Sequence, residues 1–96
     1  TSKMGSIEDN KSGGAYLYRS SKAALNAVNK SLSVDLKDRG IICIVLHPGW
    51  VKTDMGGAGA LIPAQQSVTG MRRIVENATA AHSGRFFNHD GQEIPW

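Results

Sequence analysis

The sequence predicts an α/β fold, one part of a doubly wound parallel sheet with its elements in the order helix, strand, helix, strand. Three observations lead there. Leu17, Ala24, Leu25, Val28, Leu32 and Leu36 recur at the spacing of one helical face. Ile41 to Leu46 then runs apolar without alternation, the mark of a strand covered on both faces. A second helical stripe separates that strand from a shorter one, the pattern of a βαβ unit. Two strands do not make a complete doubly wound sheet, so residues 1–96 read as a single partial domain whose remaining strands lie elsewhere.

Taken in order, Thr1 to Gly14 is polar and glycine-bearing and reads as loop, with Glu8 to Gly14 at the surface. The first helix is expected from Ala15 to Arg39, stopped by Gly40, with Arg19, Asn26, Lys30, Lys37 and Asp38 on its solvated side and Leu25, Val28, Leu32 and Leu36 in the core. The Ile41–Leu46 strand is closed by His47-Pro48-Gly49, because Pro cannot donate to a ladder and Gly admits unusual backbone angles. Trp50 to Leu61 is a Gly-rich loop beyond the carboxyl end of that strand, where α/β proteins bind ligands. Pro63 fits the first turn of a second helix whose apolar stripe is Val68, Met71, Val75 and Ala78 and which Ser83-Gly84 closes. Gly70 inside it is a mild internal cost or a point of close packing. Arg85 to Asn88 is the second strand, Asp90-Gly91 a tight turn, and Gln92 to Trp96 a packed tail.

Composition narrows the function. Hydrophobic residues are 41% and charged residues 20%, a globular balance, and the net charge of +3 is spread along the chain without a basic run of nucleic-acid type. No apolar stretch approaches the ~18 residues of a membrane span. The single Cys43 has no disulfide partner and no metal-ligand spacing around it, so a reducing, cytoplasmic setting is expected and Cys43 reads as a small hydrophobe. The chain begins at Thr1 without an initiating Met and reads as an interior piece of a longer protein.

The chemistry-bearing stretch is Tyr18-Arg19-Ser20-Ser21-Lys22. Residues four apart share a helical face, so the phenol and the ammonium project together. A free phenol, with a pKa of about 10, exchanges protons poorly at neutral pH, and a cation held beside it favours the ionised form. The pair suits proton transfer, although an exposed helix pair has the same spacing. Tyr16 has Ser20 four residues on and lacks the lysine. His47 reads as a strand-end structural residue, His82 and His89 as solvated, and Asp54 as a turn cap. Trp50 and Met55 read equally as cleft lining or as apolar packing.

Tyr18-x-x-x-Lys22, followed by Ala23-Ala24-Leu25 and then by Pro48-Gly49-x-Val51-x-Thr53 after a buried strand, resembles the carboxyl half of a short-chain dehydrogenase/reductase. The wording from Met4 to Leu36 is similar to the carbonyl reductase subgroup of sniffer and C-factor-like proteins, and the resemblance covers essentially the whole chain. It implies a Rossmann-like domain moving hydride between a nicotinamide and a small carbonyl or secondary alcohol. It implies NADP(H) as the favoured cofactor, NAD(H) as the alternative, and no nucleic-acid or membrane partner. Tyr18 would be the general acid or base, and Lys22 its partner and a ligand of the nicotinamide ribose. Ser2, in Ser2-Lys3-Met4-Gly5, would polarise the carbonyl as an uncharged donor. Pro48, Gly49, Val51 and Thr53 would hold the nicotinamide end.

Ser2 precedes Tyr18 by 16 residues, slightly more than is usual for the family, which an insertion in the Glu8–Gly14 loop explains. The resemblance also implies a homodimer through the Tyr18-bearing helix in some members. The first βαβ unit, with its Gly-rich pyrophosphate turn, and a catalytic Asn do not precede Thr1 in this chain, so the 96 residues alone are expected not to turn over substrate. A non-catalytic interaction or signalling module on the same scaffold is the competing expectation.

Overall fold

Helix α1, Tyr16–Asp35, dominates the computed structural model, which describes all 96 residues. Ala15 precedes it in the left-handed region at φ 49° and supplies no side-chain cap. The expected run to Arg39 divides: α-helix ends at Asp35, Leu36 donates its N–H back to the carbonyls of Leu32 and Val34, and Lys37–Arg39 tighten into a 3-10 turn. A tighter last turn serves carbonyls that have lost their helical partners. Gly40, at φ 70°, ends it as the sequence predicts.

Strand β1 covers only Val45–His47, against an expected Ile41–Leu46. It pairs in parallel with β2, Phe86–Asn88, in the register Val45–Phe86, Leu46–Phe87 and His47–Asn88. The upstream residues lack a partner strand, so no ladder forms there. Cys43 is fixed, its N–H donating to Ser83 Oγ at 3.0 Å and its carbonyl accepting from Gly84 N–H at 2.7 Å, and Ile41 N–H reaches back to Leu36 O at 3.4 Å. Ile41 and Ile42 are exposed, and Cys43 is half-buried rather than enclosed.

Helix α2, Ala64–Asn77, crosses between the two strands and completes a β1–α2–β2 unit. Pro63 stands just before it, at the cap. The helix stops at Asn77 rather than near Ser83, because Thr79 and His82 build a reciprocal capping box for a separate 3-10 turn, Ala80–His82. His82 is therefore engaged, its ring also edge-on to Phe87 at 5.7 Å. After β2, Gly91 (φ 92°) closes a turn by donating to the Asn88 carbonyl, and the tail folds back so that Ile94 N–H donates to Phe86 O.

Val45, Phe86 and Ile94 form the small core, and Trp96 stacks on Phe86 at 5.6 Å. Ser6 ties the first residues to this tail through its hydroxyl, which donates to Pro95 O at 2.5 Å.

The apolar stripes of both helices point away from that core. Leu25, Val28 and Leu32 are exposed, as are Val68 and Val75, while Asn26, Ser33 and Ser67 are buried. Asn26 was expected on the solvated side; it faces inward, where its Oδ1 accepts the Thr1 hydroxyl at 2.7 Å and its Nδ2 has no partner. With 12 of 96 residues buried, the chain has the contents of a partial domain. No helix is long and apolar enough to cross a membrane.

Candidate active site

Tyr18 lies in the first turn of α1, half-buried, facing the carboxyl end of β1. One turn on, Lys22 places its Nζ 5.4 Å from the centre of the Tyr18 ring, the pairing that the four-residue spacing predicts. Gly5 brings the amino-terminal segment against this turn. A Cβ at Gly5 would sit 2.8 Å from the Lys22 carbonyl carbon and 2.9 Å from its Cβ, so only glycine permits the approach.

That approach returns Ser2 to Tyr18. Ser2 is almost fully buried and begins the Lys3–Gly5 turn, its Oγ accepting from Met4 N–H at 3.1 Å. An oxygen that accepts there keeps its own proton for another acceptor. The residues between Ser2 and the helix leave the body as an exposed excursion over 7–14. Arg19 clamps it, donating from Nε to Gly14 O at 3.1 Å and from Nη2 to Ser12 Oγ at 3.0 Å and Gly13 O at 3.2 Å. Across this excursion Ser2 and Tyr18 line one cleft.

Two adjoining clefts share the walls Tyr18, Gly49 and Trp50. The first, about 680 Å³, is lined by Ser2, Met4 and His47 and by a set of charged side chains. The second, about 500 Å³, is lined by Pro48, Val51, Thr53, Met55, Ser67 and Met71. A larger hollow of about 800 Å³ runs between α2 and the 89–91 turn, but none of Ser2, Tyr18 and Lys22 lines it.

The second cleft is shaped by backbone. Gly49 has φ 84°, and a Cβ there would lie 2.8 Å from Ile62 Cδ1 and 2.9 Å from His89 Cδ2. His89 is thus packed rather than solvated. Ser67, 1% exposed, donates its hydroxyl to Pro48 O at 2.6 Å and fixes the Pro48–Gly49 peptide. The Gly-rich loop returns on itself through Val51 and Ile62, and Trp50 Nε1 donates to Gly56 O at 2.7 Å. Gly56 N–H donates to Thr53 Oγ1 at 3.1 Å, so Thr53, and not Asp54, caps this turn and keeps its hydroxyl proton.

A flat nicotinamide fits such a cleft: apolar walls, a glycine where the backbone approaches closely, and a hydroxyl donor at the edge. The rest of a dinucleotide does not fit, since residues 48–63 separate β1 from α2 and no Gly-rich turn runs directly from a strand into a helix.

His47 joins the two halves of the site. Its Nδ1 accepts from Lys3 N–H at 3.0 Å, tying the Ser2 turn to the end of β1. Burial, and then the charges of Lys3, His89 and the Thr1 amino group, push its pKa down to about 4, against a smaller opposing effect of Asp9. The ring is neutral near pH 7, as an accepting Nδ1 requires.

The structure therefore brings together Ser2, Tyr18, Pro48, Gly49, Val51 and Thr53, with Lys22 behind the Tyr18 ring. The sequence reading did not place Ser67 or the engaged His47 in the site. Ser67 carried a faint signal, a small polar residue one position before the Val68 stripe.

A parallel βαβ unit with a tyrosine–lysine helix beside the carboxyl end of its first strand defines the class. The chain belongs to the short chain dehydrogenase family, whose model matches residues 2–61. It is 54% identical over 96 residues to C-signal of Myxococcus xanthus, covering all of this chain and 58% of that protein. Among solved structures it is similar to carbonyl reductase Sniffer of D. melanogaster, with a TM-score of 0.96 and 47% identity. It is also similar to the NADPH-bound carbonyl reductase from chicken fatty liver, with a TM-score of 0.92 and 41% identity. Both structural matches cover the whole chain, which spans 39% and 40% of them.

Proposed function

We propose that this chain is the proton-delivery side of an NADPH-dependent carbonyl reductase, acting within a longer domain that supplies the pyrophosphate-binding half. The observation that carries the reading is that Tyr18 forms a shared wall, with Ser2 on one side and the Pro48–Thr53 segment on the other. Reduction needs that arrangement: a carbonyl carbon beside the nicotinamide and its oxygen within reach of proton donors. When bound, the reduced nicotinamide supplies the hydride.

In this reading the Ser2 hydroxyl donates a hydrogen bond to the carbonyl oxygen, as an uncharged donor placed where negative charge develops. The Tyr18 hydroxyl gives that oxygen its proton, so the carbonyl becomes an alcohol as the nicotinamide is oxidised. Lys22, above the ring, offsets the charge left on Tyr18 and reaches towards the nicotinamide ribose. Pro48, Gly49 and Val51 confine the ring, and Thr53 donates to its carboxamide. Without the pyrophosphate half the 96 residues are not expected to turn over substrate. NADPH is favoured over NADH because the chicken structure, which matches along the whole chain, is NADPH-bound.

The test is Tyr18→Phe in the full-length protein that carries this chain. Removal of a proton donor acting in the transition state is expected to lower kcat by at least about 100-fold with little change in cofactor affinity. Carbonyl reduction at the parental rate would refute the assignment. One observation favours a second reading, a signalling module on the same scaffold: 54% identity to a protein named C-signal. Under that reading Tyr18→Phe leaves the biological output intact.

A further inference from the structure

The cleft on the Ser2 side of Tyr18 has walls of two kinds. Met4 and Trp50 give it apolar lining, and Lys3, Lys11, Arg19 and Asp9 give it charged lining. Three cations against one carboxylate leave an excess of two positive charges in a single cleft. Asp9 lies 3.7 Å from Lys3 Nζ, and that is the only ion pair in the set. Arg19 donates only to uncharged oxygens of Ser12, Gly13 and Gly14, so its charge is not neutralised. Lys11 has no ion-pair partner.

The loop that bears Lys11 is also held in place. Arg19 grips it at 12–14, Asn10 Oδ1 accepts from Gly13 N–H at 2.9 Å, and Asp9 N–H donates to the buried Ser6 hydroxyl at 3.1 Å. The charged side of the cleft is therefore carried on a loop held in place.

A substrate in this cleft meets the charged lining, and positive charge there disfavours cationic molecules while attracting anions. We propose that the cleft takes carbonyl compounds bearing an anionic group, with the carbonyl against Ser2 and Tyr18, an apolar middle against Met4 and Trp50, and the anion at the Lys11 side of the cleft. The proposal rests on the carbonyl-reductase reading and assigns its substrate class.

The test compares 4-acetylbenzoate with its methyl ester, two substrates with the same reacting ketone that differ by one negative charge. The full-length protein is assayed with saturating NADPH. The expected result is a kcat/KM ratio of about 3- to 10-fold in favour of the acid at low salt, the size of one or two exposed charge contacts. The ratio should fall towards one near ~0.5 M salt, where the screening length drops to a few ångströms. Lys11→Glu should erase the preference, chiefly through KM.

A ratio at or below one, indifference of the ratio to salt, or an unchanged ratio in Lys11→Glu would each overturn the proposal. If neither compound is turned over, calorimetry on the NADPH-loaded protein reads the preference from binding, and equal binding of acid and ester sinks it. Tyr18→Phe separates the two levels. Activity surviving in that variant refutes the carbonyl-reductase reading, whereas its loss alongside an unaltered acid-to-ester ratio in Lys11→Glu refutes the charge preference alone.

Discussion

Gly70→Ala sets two effects of opposite sign against each other. In an isolated helix the change is favourable, by about 1 kcal/mol, because alanine loses less backbone freedom on folding. In α2 the new Cβ would lie 2.2 Å from the His89 carbonyl oxygen and 3.1 Å from the carbonyl carbon. That neighbour is backbone, so no rotamer change relieves the overlap. The helix and the 88–91 turn must separate by roughly 1 Å, and overpacking of that kind costs about 1–3 kcal/mol, here towards the upper end. The net expectation is a loss of about 1–2 kcal/mol. In a domain of 150–250 residues each kcal/mol is about 2–4 °C, so the melting temperature should fall by roughly 2–8 °C. Scanning calorimetry of parent and variant with cofactor absent measures it. Because the displaced turn carries His89, which packs on Gly49, NADPH affinity should weaken as well. A melting temperature equal to or above the parent's would refute the view that glycine is kept here for packing.

Two further outcomes follow from buried polar contacts. Ser67→Ala leaves the Pro48 carbonyl without its partner in a closed site and should cost about 1–3 kcal/mol in chemical denaturation, with weaker NADPH binding; unchanged values for both would show that Ser67 does not hold the Pro48–Gly49 peptide. His47 makes stability depend on pH. Its folded pKa of about 4 lies below the ordinary 6.5, so the unfolded chain binds more protons between those values. Its contribution is complete above about pH 6.5 and is lost as pH falls towards 4. His47→Asn, which keeps an acceptor for Lys3 N–H but does not titrate, should flatten that part of a melting-temperature profile; parallel profiles for the two proteins would refute the linkage.

Helix α1 and its Tyr18–Lys22 pair were legible because both depend on spacing along one element. The direction of the helix was not. A 3.6-residue period identifies an apolar face without saying what covers it, and Leu25, Val28 and Leu32 are uncovered here while Asn26 and Ser33 are buried. The same limit shortened β1, since Ile41 and Ile42 have strand character but no neighbouring strand to complete a ladder. In the site, Pro48, Gly49 and Thr53 entered through the resemblance to the short-chain dehydrogenase/reductase family, and the fold sets all three along one cleft wall. Ser67 and the Lys3–His47 bond join residues 19 and 44 positions apart, and only the folded chain brings these pairs together.

The excursion over residues 7–14 has a consequence for how such a protein diversifies. Its two ends are pinned independently, one by Gly5 packed on Lys22 and the other by Arg19 holding residues 12–14. Inserting or exchanging residues between those anchors adds little closure entropy, about 0.6 kcal/mol for each doubling of length. Ser2 and Tyr18, behind the anchors, would not move. Under the proposed function, grafting loops of different charge at these few exposed positions would change substrate choice and leave Ser2 and Tyr18 unaltered.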